Sequence, residues 1–482
     1  MYIALIALIP VIGGGLAKAF KFKTDRARNI YIETLTVLTS ALVLISVISG
    51  RGGEVSLFCL NDVFVCSFGL DGPGKLFAFL IALLWPFASL YGFEYMEHEE
   101  RRGNFFVFYT MAYGVALMLS AARNLFTLYI FYELLTVITL PLVEHGQNKE
   151  AYRAGRAYLL YLIGGAGLGF AALIIAYGLA DSGTAFRLGG IISGDKNVTL
   201  IRIAFMLGFV GFGVKAAVFP LSRWLPKASC APTPVTALLH AVAVVNAGVY
   251  SVMRVCYYVF PKDAVYGSYA QYTVMLLSAA TVAYGAVRAF RESHLKRRLA
   301  WSTVSNLGYM LFALSLLTDK GTSAALSHML FHSAMKIALF FCAGAIMVKS
   351  GKTDIHEMRG LAHRMPAAFA VFALAGAALT GVPPLCGFTS KYLIITAALE
   401  NPSWAQIIGA VSLIVSAILT AFYIFTVIVP AYFAPENDEV SARCDMGIRM
   451  KISSIAVCAM ILALSVFSNK IYEIISALQG SL

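Results

Sequence analysis

Residues 328–341 read HMLFHSAMKIALFF, a run fit for the interior of a lipid bilayer except for two histidines and a lysine. His328, His332 and Lys336 follow at i, i+4 and i+8, so a helix lines them on one face. The apolar run extends to about 323–348 with no other charged residue. An ion at mid-bilayer costs roughly 2.5–3.5 kcal/mol on insertion scales, so such a residue is a functional candidate by default. Imidazole titrates near neutral pH and both donates and accepts, which suits a proton relay. A static polar face bonded to backbone carbonyls is the competing reading, and three titratable groups in register favour the relay.

The rest of the chain has the same character. Its 482 residues are 59% hydrophobic and 13% charged, with mean hydropathy +0.78; soluble domains carry about 25% charged residues. A bilayer span needs about 20 mostly apolar residues. Fourteen such segments are expected, at 2–19, 30–49, 74–93, 105–121, 124–143, 157–180, 199–219, 233–260, 269–289, 300–317, 323–348, 367–398, 405–430 and 450–468. The piece PLSRWLPKA, 220–228, is too short to cross. The expectation is an all-α polytopic membrane protein, one integral-membrane domain over 1–482. Its first segment runs straight into a basic loop and reads as a retained helix.

Loop charge supports that count. Alternate loops hold the basic residues, as in Lys18, Lys21, Lys23, Arg26 and Arg28, or Arg288, Arg291, Lys296, Arg297 and Arg298. The positive-inside rule then puts both termini on the outer face of the cell's inner membrane. The net charge of +12 belongs to these loops and not to a nucleic-acid surface. The eight cysteines form no CxxC pair and no Cys/His cluster at metal spacing, so no cofactor or metal is expected. Cys59 and Cys66 share one outer loop, as a disulfide or as free thiols.

Three further charges lie deep: Glu133 in LYIFYELLTVITLPL (128–142), Lys215 in GFVGFGVKAAVFPL (208–221) and Lys391 in GVPPLCGFTSKYLII (381–395). His240 joins them. Burial alone is costly for Glu133 and Lys215, and the cheapest arrangement pairs them, either as a fixed ion pair or as one that opens when a proton arrives. Helix breakers stand near two lysines: Pro220 and Pro226 after Lys215, and Pro383, Pro384 and Gly387 before Lys391. Proline removes a backbone bond, and a broken membrane helix survives where it is buried in protein or lines a wet cavity. Two such segments in two halves of a chain point to a repeat transporter with its ion path at the breaks.

The segments 215–255, KAAVFPLSRWLPKASCAPTPVTALLHAVAVVNAGVYSVMRV, 294–310, HLKRRLAWSTVSNLGYM, 328–344 and 380–394 closely resemble, in order, the motifs of the antiporter-like proton-translocating subunits of respiratory complex I. Mrp-type cation/proton antiporters, including their D-type chain, and membrane-bound hydrogenases share them. The resemblance covers roughly residues 60–430. It implies fourteen helices, N-terminal helices over 1–104, inverted five-helix repeats over 105–260 and 269–430, broken helices seven and twelve, and a C-terminal helix over 450–468. It assigns Glu133 and Lys215 to a regulated pair, His240, His328, His332 and Lys336 to a central relay, and Lys391 to the terminal group. The chain departs from many relatives in holding Asn246 where they have a lysine, and YELL where they have WELL. No long amphipathic helix follows the last span.

The function so implied is proton translocation in a multisubunit energy-converting membrane complex. Its partners are other membrane subunits and lipid, and a hydrophilic redox arm if the complex is a redox pump. Protons are the cargo, with sodium a second candidate. The alternatives are membership of an Mrp-type Na+/H+ antiporter and a non-conducting scaffold; costly buried charges argue against the scaffold. With no GxGxxG and no P-loop, the chain is not expected to perform redox chemistry itself. Glu144 and His145 read as solvated, Asp62 and Asp71 as turn or interface residues and not ligands, Arg254 as a snorkelling cation, and Trp85, Trp224 and Trp301 as anchoring or packing.

Overall fold

In a bilayer every backbone polar group must be satisfied internally, so apolar runs of this length form helices or a closed barrel. The computed structural model is mostly helical, and it describes residues 3–20, 22–49, 53–60, 63–181, 183–193, 196–435 and 444–479. Lys21 and Asp62 lie outside the described residues.

The N-terminal helices are α1 (Ile3–Ala19), α2 (Asp25–Ser49), α3 (Gly72–Tyr95) and α4 (Arg102–Ser120). Next come α5 (Leu125–Val143), α6 (Lys149–Leu179), α7 (Val198–Gly213), α8 (Trp224–Ala228), α9 (Thr233–Ala241) and α10 (Val244–Arg254), then a short α11 (Lys262–Val265). The second half holds α12 (Tyr269–Arg291), α13 (Leu295–Ser315), α14 (Asp319–Ser350), α15 (Pro366–Thr380), α16 (Cys386–Leu399) and α17 (Trp404–Phe433). The chain closes with α18 (Ile448–Val466) and α19 (Ser468–Gln479). Among the described residues, ten helical stretches are long and apolar enough to cross a membrane, Thr233–Val259 counting as one.

One short element among the described residues is not helical. Val55–Cys59 (β1) and Val65–Phe68 (β2) form an antiparallel hairpin. Each strand carries a valine and a phenylalanine, residue types that suit a strand, and the loop between α2 and α3 leaves them free to pair. Cys59 and Cys66 are free thiols. The expected helix over 233–260 is interrupted at Val242–Ala243, between α9 and α10, and ends in a π-helical turn, Val255–Val259. The tenth segment starts earlier than expected, at Leu295.

Local chemistry sets the ends. Thr318 caps α14 by accepting from the Gly321 amide at 3.1 Å, and Gly351, at φ +70°, closes the helix in the left-handed conformation that glycine adopts at no steric cost. Helix α14 is buried along most of its length and packs on α13, α16, α15 and α9. It is therefore the core of the molecule, and its histidines and lysine are core residues. By contrast, α6 and α17 expose apolar rows such as Leu160 and Ile163, or Val411, Ile414 and Ile418. In a membrane, such rows meet lipid or neighbouring subunits.

Candidate functional site

The chain leaves helical geometry just before Lys215: α7 ends at Gly213 and residues 214–223 run as turns. Ending a helix frees backbone carbonyls, and buried side chains take them up. Tyr132 Oη donates to the Phe212 carbonyl at 2.9 Å and Trp224 Nε1 to that of Val214 at 2.9 Å. Lys215 is fully buried. Its Nζ donates to the Tyr132 carbonyl and lies 3.4 Å from the centre of the Tyr132 ring. Tyr132 thus holds the break on one side and the lysine on the other. Gly248 of α10 presses on the same turn; a Cβ there would stand 2.4 Å from the Ala216 nitrogen.

Glu133, next to Tyr132 on α5, is half-buried, and its Oε1 has no hydrogen-bond partner. It does not reach Lys215 at ion-pair distance. The pairing expected from desolvation cost is replaced here by a carbonyl and an aromatic face. Pro220 lies within the turns, whereas Pro226 sits inside α8.

From this break a buried polar line crosses the molecule. His240 on α9 shares a hydrogen bond with Ser229 Oγ through Nε2 at 3.0 Å, stacks near Phe340 of α14 at 4.8 Å, and leaves Nδ1 without a partner. Asn246 Nδ2 bridges the interruption between α9 and α10 by donating to the Ala241 carbonyl and to Ser333 Oγ of α14, each at 2.8 Å. One turn before Lys336 sits His332, fully buried, with neither ring nitrogen bonded to a protein group. Its ring centroid is 5.9 Å from that of His328. His328 makes hydrogen bonds with Ser390 Oγ of α16 at 2.8 Å and Asn306 Oδ1 of α13 at 3.2 Å. Lys336 Nζ donates to the Leu299 carbonyl at 2.9 Å and to Ser302 Oγ.

Lys391 ends the line. It sits on α16 one turn past Gly387, and its Nζ donates to the Leu379 and Thr380 carbonyls at 2.7 and 3.0 Å. These are the open carbonyls of α15, which stops at Gly381 (φ +94°). Pro383 and Pro384 form the non-helical link, while Gly387 lies inside α16. A Cβ on Gly387 would fall 1.8 Å from the Ala378 carbonyl oxygen, so only glycine lets the two half-helices cross this closely.

Sequence reasoning missed the hydroxyl and amide links: Ser229, Ser302, Asn306, Ser333 and Ser390. Ser302 and Asn306 stand at i and i+4 in STVSN, a polar stripe inside an expected span, and that was the available signal. Arg254 does not snorkel as expected, whereas Asp71 does stand at a turn, capping α3. Arg254 is fully buried and bidentate on Asp71, both bonds at 2.6 Å. Burial alone would raise the Asp71 carboxyl, but Arg254, the Gly74 amide and Arg123 bring it below its ordinary value. Among the described residues, no three His, Cys, Asp or Glu side chains are placed to hold a metal ion.

Residues 122–420 match the family model described as NADH:quinone oxidoreductase/Mrp antiporter, transmembrane. The chain is 31% identical over 434 residues to the A-type chain of the Na+/H+ antiporter of Alkalihalophilus pseudofirmus, covering 83% of this chain and 52% of that protein. It thus spans about half the length of that relative. Identity is also 31%, over 362 residues, with the N-type chain of the NADH-quinone oxidoreductase of Desulforudis audaxviator, covering 73% of this chain and 70% of that one. A chain of the membrane-bound sulfane sulfur reductase, an archaeal respiratory membrane complex, has the same fold, with TM-score 0.87 at 23% identity over 99% of this chain and 97% of that one.

Proposed function

Because this chain belongs to the NADH:quinone oxidoreductase/Mrp antiporter transmembrane family, we propose that it is the proton-translocating, antiporter-like subunit of a multisubunit energy-converting membrane complex. The observation that carries this reading is the buried polar line from Ser229 through His240, Asn246, His332 and His328 to Lys391, in a bundle otherwise packed with apolar side chains. A scaffold gains nothing from leaving both nitrogens of His332 without a protein partner; a relay needs a group free to take and pass a proton.

The proposed architecture has fourteen crossings: N-terminal helices within 1–104, inverted repeats over 105–260 and 269–430, and a last helix over 450–468. Helix seven is interrupted near Lys215, Pro220 and Pro226, and helix twelve near Pro383, Pro384 and Gly387. Both termini lie on the outer face. Ser229, at the start of the line, also lines a cavity of about 680 Å3 at the basic end. A proton reaching His240 passes to His332 and His328 with Lys336 as the charge that gates it, and leaves by Lys391. Lys215 swings between the Tyr132 carbonyl and Glu133, so that formation of the Glu133–Lys215 pair reports the loading state of the relay.

The driving force comes from partner subunits, as redox chemistry in a hydrophilic arm. A second reading, supported by the 31% identity to a chain of a Na+/H+ antiporter, is exchange driven by a cation gradient. Replacing Lys215 by Ala in the assembled complex, reconstituted in vesicles, is expected to abolish proton movement while leaving the composition of the complex intact. Full transport in that variant would overturn the relay. Dependence of wild-type proton movement on sodium would select the second reading over the first.

A further inference from the structure

At the basic end of the bundle, α6, α8, α12 and α13 surround the cavity of about 680 Å3. Its lining holds five cations, Arg153, Arg223, Lys227, Arg288 and Arg297, against two carboxylates, Glu150 and Glu292. Of these, only Arg297 engages a carboxylate among the described residues, Glu292 at 3.2 Å. The Arg288 guanidinium lies 4.9 Å from the Trp301 ring centre, and Tyr284 meets that ring edge-on at 5.5 Å. Arg223 bonds the Tyr284 side chain, and with two carboxylates against five cations the lining keeps an excess of positive charge. An anion with several oxygens would offset it, since guanidinium groups bond phosphate oxygens through charge-assisted, forked hydrogen bonds.

What lies beside the cavity indicates the source of the phosphate. Leu160 on α6 and Val287 on α12 are exposed apolar side chains of the helices that wall it, and aromatic rings of the Tyr284–Trp301 kind sit at the headgroup level of a bilayer. Basic pockets between membrane helices on the positive-inside face suit anionic headgroups. We propose that this cavity is a binding site for the phosphate headgroup of an anionic phospholipid, with the acyl chains along the exposed flanks of α6 and α12. This assignment stands on charge, volume and flanking surface, and does not depend on the transport reading.

The test uses the purified complex in mild detergent, with phosphatidylglycerol and phosphatidylcholine as probes and native mass spectrometry as the readout. Wild type is expected to retain phosphatidylglycerol over phosphatidylcholine. The double variant Arg223→Gln, Arg288→Gln should bind it roughly thirtyfold more weakly, each cation counting for about a factor of five. Lys349→Gln, an exposed cation outside the cavity, should bind as wild type does. Equal retention in the double variant would overturn the proposal, as would displacement of the lipid by inorganic phosphate at millimolar concentration, which would mark a site for the free ion. If the double variant does not assemble, photoreactive phosphatidylglycerol on the wild-type complex decides: labels on α6 and α12 beside the cavity support the site, and labels confined to other helices refute it.

Discussion

His332 is buried in the core helix α14 with no protein partner for either ring nitrogen. An unsatisfied buried polar group costs about 1–3 kcal/mol, so replacing it by Met is expected to raise thermal stability by up to about that amount. The same change should slow proton movement by roughly two orders of magnitude or more, the usual loss when a positioned proton-transfer group is removed. Differential scanning fluorimetry and vesicle acidification measure the two effects; a variant both destabilised and fully active would assign His332 to structure alone. The charges of the site were legible because each stands alone in a long apolar window, where a single ion is conspicuous. Their partners were not. Lys215 meets the Tyr132 carbonyl, 83 residues away, and Arg254 meets Asp71, 183 residues away. No local pattern encodes such pairings.

At the scale of elements, glycine and proline marked the breaks near Lys215 and Lys391, but their positions do not coincide with the ends of helix. Helix α7 stops at Gly213, ahead of Pro220, because Tyr132 and Trp224 take up the freed carbonyls there. The interruption at Val242–Ala243 has neither glycine nor proline and is held by Asn246 donating to the Ala241 carbonyl. It was invisible in sequence for that reason. Gly387 gives a direct test of the second break. Its replacement by Ala would drive a methyl group into the Ala378 carbonyl. Overpacking of this kind costs about 1–3 kcal/mol, and the clash strikes the segment that carries Lys391. The variant is expected to melt at lower temperature and to lose transport. Gly164→Ala on α6, where a Cβ meets nothing within 4 Å, should be neutral or slightly stabilising. Equal melting of the two variants would show that α15 and α16 do not cross as described.

Across the whole molecule, the buried Asp71–Arg254 pair ties the start of α3 to the end of α10, and through them the N-terminal helices to the Lys215 break on which Gly248 presses. Asp71 is held below the ordinary carboxylate value, so its contribution to stability is present above about pH 3.9 and is lost as pH falls through the lower folded value. Asp71→Asn leaves Arg254 buried without a counter-ion and is expected to cost about 3–5 kcal/mol at neutral pH. That deficit should narrow as wild type is acidified, in thermal melts taken at successive pH values; a deficit constant down to pH 3 would deny the pair its stabilising role.

The helical membrane fold could be read from composition, and the family resemblance from four motifs in order. The β1–β2 hairpin could not, being a local pairing in a loop that hydropathy leaves blank. If the buried line conducts protons, Lys336 lies within it, bonded to Ser302 and the Leu299 carbonyl. The most direct measurement is internal pH in vesicles holding the complex with Lys336→Met, which keeps the side chain's length and removes its charge. The expected result is a fully assembled complex whose driving reaction no longer moves protons; acidification at the wild-type rate would contradict the relay.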